Sequence, residues 1–333
     1  MFSKVAIIIA LFVTAKFAAA HHSDSPFDLD RVVAFQGTVV NFQWRNPHVY
    51  LIIKDANDVE WLIETGATPI MKRSGWTRDS FAYGDIVSVR SNPDRNPEKK
   101  HGYLLSIEGP DGIALSSRQR SSESDISATG ATTDDLSGVW AGERAQRNAF
   151  LRALADHPLT LKGRTARAEY DDSMHPTVNC VAPPSPWIVA LADLHLAEID
   201  INANEIVFRS EFNDAERTVY IDGRGHPEDG ERTNQGHSIG SWEGGTLVVD
   251  TVLFADNRSP FPFLGIPSGD EKHVIEKYTL TEDGSRLLID IFLEDPEYLT
   301  EPIGTNLVWH YSPHLDLLRF DCDPDVAQRF LSN

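Results

Sequence analysis

The stretch from Gly236 to Thr251, GHSIGSWEGGTLVVDT, places a histidine, a tryptophan and two carboxylates within two short predicted strands and one tight turn. The second strand is rich in β-branched and apolar residues, and Glu243-Gly244-Gly245 supplies the positive-φ positions that a two-residue hairpin turn needs. Because side chains alternate across a strand, Asp250 shares a face with Val248. A carboxylate on an apolar face needs a partner, so the hairpin predicts a polar site.

Outward from this hairpin, short apolar strands repeat between Gly, Pro and Asp-Gly turns, which predicts an antiparallel sheet closed on itself. A Gly-X-Trp at 138–140, a pattern also found in the first strand of lipocalin-like barrels, opens the segment, and residues 143–155 are predicted to be helical. The other candidate strands are 195–199, 205–212, 217–221, 238–242, 246–254, 273–280, 286–293, 305–311 and 315–322. We therefore expect a lipocalin-like barrel over 136–333, with an interior that can hold a ligand.

The segment 21–109 has its own pattern of short strands, which predicts a separate OB-like five-stranded barrel. A helical turn at 68–73 lies between its third and fourth strands. Residues 110–135 are rich in Ser, Thr, Gly and Asp, which indicates a flexible linker. The predicted fold is all-β, and the five strands of the first barrel are expected at 33–44, 49–54, 60–64, 85–90 and 102–108.

Residues 1–20 have the pattern of a secretory signal peptide, since Lys4 precedes an apolar run and Ala18-Ala19-Ala20 fits cleavage before His21. We therefore expect a periplasmic or secreted protein. No later apolar run approaches the roughly 20 residues needed to span a bilayer, so no membrane insertion is expected. The net charge of −20 argues against a nucleic-acid partner. Cys180 and Cys322, the only cysteines, are expected to form a disulfide.

Several motifs resemble uncharacterised bacterial domains. The first half is similar to a family of secreted domains in His21-His22-Ser23, Gly37-Thr38-Val39, Trp44-Arg45-Asn46-Pro47-His48 and Gly75-Trp76-Thr77-Arg78-Asp79. The second half resembles a β domain of unknown function in GHSIGSWEGGTLVVDT, Asp222-Gly223-Arg224 with His226-Pro227, Glu276-Lys277-Tyr278 and Glu294-Asp295-Pro296. Two positions depart from that pattern: Gly245 replaces an Asp, and Ile266-Pro267-Ser268 replaces Pro-His-Ser. The resemblance implies fold and export, and it implies no activity.

Ionisable side chains in or beside the strands of the second domain form the first candidate site. If several converge on the barrel interior, a histidine beside a carboxylate could serve as a general acid or base near neutral pH. The expected catalytic residues are His237, Asp250, His273 and Glu276. The expected ligand-binding residues are Asp222, Arg224, His226, Trp242 and Tyr278. His237 or Arg224 is the expected donor to Asp250, and the competing interpretation is that these groups only satisfy turn backbones.

Three functions from different classes follow. The first is a barrel that binds a small, partly apolar molecule and acts on it by general acid–base chemistry, because no nucleophile elbow, phosphate loop or dinucleotide fingerprint is present. The second is a metal-binding protein: the amine and imidazole of a processed His21, with His22 or His48, would suit copper. A solvated chain end is the alternative for those histidines. The third is a structural or assembly module for another exported protein, and the sequence leaves the oligomeric state open.

Overall fold

In the computed structural model of the protein, residues 26–117, 130–256 and 265–329 are described, and they form two closed β-barrels. The all-β, two-barrel prediction is confirmed. The predicted signal peptide and the metal candidates His21 and His22 lie outside the described residues. The strands are β1 Val33–Gln43, β2 Tyr50–Asp55, β3 Glu60–Glu64, β4 Ile86–Pro93, β5 His101–Glu108, β6 Ala114–Ser116, β7 Gly138–Gly142, β8 Ala197–Ile201, β9 Glu205–Ser210, β10 Ala215–Tyr220, β11 His237–Glu243, β12 Thr246–Val252, β13 His273–Leu280, β14 Arg286–Glu294 and β15 Ile303–Tyr311.

The described helices are short and are not part of the two sheets. They are α1 Thr68–Arg73, α2 Arg144–Ala155, α3 Leu161–Ala168, α4 Trp187–Ala190 and α5 Pro324–Ala327, with single 3-10 turns at Asp172–Met174, Pro176–Asn179, Leu191–Asp193 and Phe212–Asp214. None of these helices is long and apolar enough to cross a membrane.

The N-terminal barrel contains the strand order β3-β2-β1-β4-β5-β6, and it closes where β3 pairs with β5. Its core is built from alternate residues of these strands together with Met71 of α1 and the following Trp76. The first part of the predicted flexible linker 110–135 is structured, because residues 114–116 form β6 on the edge of β5.

The C-terminal barrel has nine strands in the order β10-β11-β12-β13-β14-β15-β7-β8-β9 and closes between β9 and β10. Every pairing is antiparallel except that of β10 with β11, which is parallel. Residues 221–236 make the crossover that this pairing requires. The predicted strand 315–322 is wrong: its backbone N–H groups at Leu318 and Phe320 donate to the carboxylates of Glu211 and Asp214 instead of to a strand.

The β11–β12 hairpin is confirmed, with Glu243 opposite Thr246 and Gly244 at a φ of +62°. A positive φ is accessible to glycine at low cost, which explains the residue at this turn. Leu247 and Val249 are fully buried in the barrel, so the alternate residues Val248 and Asp250 face outward. Asp250 therefore lies on the outer surface of the barrel and not on its interior face.

The barrel interior is filled by side chains. Residues 182–192 run through buried positions, and Trp140, Tyr278 and Trp309 pack in the same core. One cavity lined by described residues, of about 30 Å³, lies between Phe208 and Arg217. That volume corresponds to about two water molecules. The interior is thus a packed core with polar groups in it.

The disulfide between Cys180 and Cys322 is confirmed, with a Cα–Cα distance of 5.7 Å. The backbone of Cys322 also forms an isolated parallel β-bridge with Asn46 of the N-terminal barrel. Close by, Arg73 of α1 forms two hydrogen bonds of 2.7 Å to the buried carboxylate of Glu211. These contacts join the two barrels directly.

Candidate functional site

Four side chains meet on the outer face of the C-terminal barrel: His226, His237, Asp250 and His273, which we call the histidine row. Three of them come from adjacent strands β11, β12 and β13, where alternation directs all three outward. His226 comes from the crossover 221–236, which folds back over the sheet. The sequence predicted all four as site residues, and the structure brings them together.

The row is connected by short contacts between ring nitrogens and the carboxylate. His226 Nδ1 lies 2.8 Å from His237 Nδ1, and His226 Nε2 lies 3.3 Å from Asp250 Oδ1. His273 Nε2 lies 2.8 Å from the same oxygen. The predicted donors to Asp250 were His237 and Arg224, and the observed ones are His226 and His273. The reason is the register, which puts His237 opposite Val252 and Asp250 opposite Ile239.

The Nδ1–Nδ1 contact can hold one hydrogen, because each imidazole nitrogen either donates or accepts. With His226 donating Nε2–H to Asp250, its Nδ1 accepts from His237 Nδ1–H in the neutral pair. His237 Nε2 then carries a lone pair and is the basic atom. A proton taken there can be balanced by transfer of the Nδ1 hydrogen to His226, so that the positive charge comes to lie beside Asp250.

The surroundings of His237 keep it neutral near physiological pH. Burial lowers the pKa of His237, and the neighbouring His226 and Arg224 lower it further. The ring of Tyr220 stacks on His237 with centroids 5.4 Å apart. Asp250 is half-exposed, with 40% of its side chain accessible to solvent. A small molecule can therefore reach the row from solvent.

Two predicted ligand-binding residues hold the crossover beside the row. Arg224 forms a paired contact with Asp222, with Nη2 2.6 Å from Oδ2 and Nε 2.9 Å from Oδ1. These hydrogen bonds lower the pKa of Asp222 to about 2. The Arg224 guanidinium lies over the Tyr220 ring at 4.0 Å. Arg224, Tyr220 and His237 are therefore linked by successive stacking contacts.

Glu276 lies inside the barrel, because even-numbered residues of β13 face inward and His273 faces outward. Its fully buried carboxylate accepts from Arg217 Nη2 at 2.6 Å and from the Tyr278 hydroxyl at 2.9 Å, and the Ser185 hydroxyl donates to it as well. Burial raises the pKa of Tyr278, and the carboxylate raises it further. The structure thus separates Glu276 and Tyr278 from the histidine row.

Other placements differ from the sequence expectation. Trp242 lies beside the hairpin turn, with 46% of its surface exposed, at the far end of β11 from His237. Sequence reasoning missed Glu294, whose Oε2 lies 3.5 Å from His273 Nδ1 and which extends the row onto β14. It also missed Arg217, although alternation along β10 directs that side chain into the barrel together with Val219.

The remaining metal candidate, His48, belongs to a second polar cluster in the N-terminal barrel. His48 Nδ1 lies 2.9 Å from the Thr65 carbonyl and 3.3 Å from Glu64, and His101 Nε2 lies 3.2 Å from Glu64. Burial alone would raise the pKa of Glu64, but His48, His101 and the Tyr50 hydroxyl together lower it. Glu64 therefore stays ionised.

Within residues 26–117, 130–256 and 265–329, no group of three or more His, Cys, Asp or Glu side chains is arranged to hold a metal ion. The histidine row in this conformation is suited to proton transfer.

Comparison with curated proteins gave no match. Residues 10–103, which contain the Asn-Pro-His motif, strands β1 to β4 and the start of β5, match the model of a family of unknown function, DUF6152. The segment 10–103 is thus similar to an uncharacterised domain, as its motifs indicated.

Proposed function

We propose that the protein is exported and that the histidine row is a general acid–base site acting on a small, partly apolar molecule. The observation that carries the proposal is the continuous contact from Asp250 through His226 to His237. His237 is the base, and Asp250 orients His226 and balances its charge. His273, which contacts the same carboxylate, is the candidate acid. The disulfide supports a location outside the reducing cytosol.

Proton abstraction can be tested with 5-nitrobenzisoxazole, an uncharged aromatic probe that opens when a base removes its C3 proton. The base takes the proton, the C–H electron pair forms the nitrile, and the N–O bond breaks, so the ring opens to one coloured product that carries both the nitrile and a phenolate. We expect turnover by the wild type and a loss of about 100-fold in His237→Gln, because glutamine keeps the shape but cannot accept the proton. Because the pKa of His237 is lowered, the rate should rise with pH below about 6.5 and be level above it.

The matched control is His310→Gln. His310 Nε2 lies 2.7 Å from Glu143, so it is another histidine–carboxylate pair of the same barrel, outside the row. Turnover should be unchanged in that variant. If His237→Gln and Asp250→Asn lower stability by about 1 to 3 kcal/mol and leave turnover at the control level, the row only fastens the crossover to the barrel.

A second candidate function, copper binding at the processed N-terminus, is favoured by the orientation of His48. Its Nδ1 faces the Thr65 carbonyl, so the Nδ1–H tautomer leaves Nε2 free to coordinate. A backbone carbonyl on the other ring nitrogen is the usual arrangement for a metal-binding histidine.

We expect protein that begins at His21 to bind Cu(II) more tightly than a form with one added residue before it, because the addition separates the amine from the imidazole. Titration of both forms, with His48→Gln as a third, measures the difference. Equal affinities in the first two forms would remove the copper proposal.

A further inference from the structure

An apolar strip lies directly beside the histidine row on the outer face of the barrel. It consists of Ile239, Ile275, Phe292 and Gly304, and Asp250 is the one polar residue in the same line. The register shows the order: Ile239 is opposite Asp250, Asp250 opposite Ile275, Ile275 opposite Phe292, and Phe292 opposite Gly304. Directly paired residues have Cβ atoms about 5 Å apart, so Ile275 and Phe292 form one apolar surface between Asp250 and Gly304.

The strip has room for a ligand at its far end. Phe292 is 40% exposed, which is high for a phenylalanine on a sheet. Gly304 beside it has no side chain, and a Cβ placed there would meet nothing nearer than the Ile291 carbonyl at 3.7 Å. Strands are about 4.8 Å apart, so Asp250 and Phe292 are separated by about 10 Å, the length of a two-ring aromatic molecule.

The two long sides of the strip are mostly polar, and Val248 and Val252 of β12 are their apolar members. Lys277, Asp290 and Asn306 form one side, two residues further along their strands. His237, His273 and Glu294 lie on the other. Asp250, Asp290 and Glu294 outnumber the single lysine, and the chain as a whole carries a net charge of −20. Anionic molecules are therefore repelled, and neutral ones are favoured.

We infer that the apolar strip binds the flat aromatic part of an uncharged substrate and holds its reactive hydrogen over the histidine row. This inference rests on the proposed acid–base function and names the substrate class of that site. The ring would lie on Ile275 with its edge against Phe292, and the polar end would reach Asp250 and His273. Gly304 provides the space that a larger residue would fill.

Indole and indole-3-carboxylate test the inference, because they share one ring system and differ in charge. Binding is followed by the isoleucine methyl NMR signal of Ile275. We expect indole to bind and the carboxylate to bind at least about five-fold more weakly. Phe292→Ser and Gly304→Val should each weaken indole binding about five-fold or more. The valine variant deletes no apolar side chain, so a loss there cannot come from a weakened core.

Leu288→Ser is the matched control, since Leu288 is equally exposed on the same face of β14, beyond the strip. Its indole affinity should stay within about two-fold of the wild type. No indole binding, equal binding of the carboxylate, or equal losses in the control would overturn the inference. Indole binding by the wild-type protein without turnover of 5-nitrobenzisoxazole would refute the acid–base function and leave the substrate-class inference standing.

Discussion

Arg217→Met is expected to lower the free energy of unfolding by about 3 to 5 kcal/mol, the largest effect of any substitution considered for the C-terminal barrel. Arg217 contacts Glu276 through two guanidinium nitrogens, at 3.1 and 2.6 Å, and the carboxylate is fully buried. Burial alone would lower the pKa of Arg217, but the carboxylate raises it, so Arg217 stays protonated. Methionine removes the positive charge and leaves the buried negative one without a counterion.

Arg209→Met is the control, because Arg209 lies opposite Glu216 on the outside of the same sheet and forms exposed ion pairs. Its loss should change stability by less than about 1 kcal/mol. The double variant Arg217→Met with Glu276→Gln should recover part of the loss, since the uncompensated charge is removed. Chemical denaturation followed by tryptophan fluorescence measures all three. Equal effects for Arg217 and Arg209 would contradict the account of the interior.

Arg73→Met is expected to cost about 2 to 4 kcal/mol and to uncouple the unfolding of the two barrels. Glu211 is fully buried, whereas 23% of the Arg73 side chain is exposed, so the cost is smaller than for Arg217. Glu211 also accepts from the backbone N–H groups of Leu196 and Leu318. Loss of Arg73 therefore leaves a charge at the point where three segments meet.

Arg45→Met provides the comparison, because Arg45 also pairs across the two barrels, with Asp323, but is 62% exposed. We expect a change of less than about 1 kcal/mol. Thermal denaturation should show one transition for the wild type and for Arg45→Met, and two for Arg73→Met. A single unshifted transition in Arg73→Met would show that the interface does not depend on this pair.

The local pattern of the chain predicted most of the strands and the hairpin, because alternation and turn residues are local properties. It also predicted that His237, Asp250 and His273 lie near one another. It could not predict which face is the interior. On β12, both faces are apolar, with Leu247 and Val249 on one and Val248 and Val252 on the other. Alternation fixes the two sets of residues, and only closure of the sheet decides which set faces inward.

Long-range pairing explains the other differences. Glu276 meets Arg217 from 59 positions away, and Arg73 meets Glu211 from 138 positions away. The parallel pairing of β10 with β11 depends on the crossover folding over the sheet, and this same fold brings His226 to His237. Glycine, proline and charged residues in that crossover indicated a loop. Because the crossover has no hydrophobic periodicity, the sequence did not show where the loop lies on the barrel.

The most direct test of the account is the protonation of His237, followed by NMR of histidine side-chain nitrogens across pH in the wild type and in His226→Gln. We expect His237 to titrate below about 6.5 in the wild type, because burial, His226 and Arg224 lower its pKa. In His226→Gln one of those charges is absent, so the pKa of His237 should rise. Titration of His237 at the same pH in both proteins would show that His226 does not act on the His237 ring, and it would contradict the proposed site.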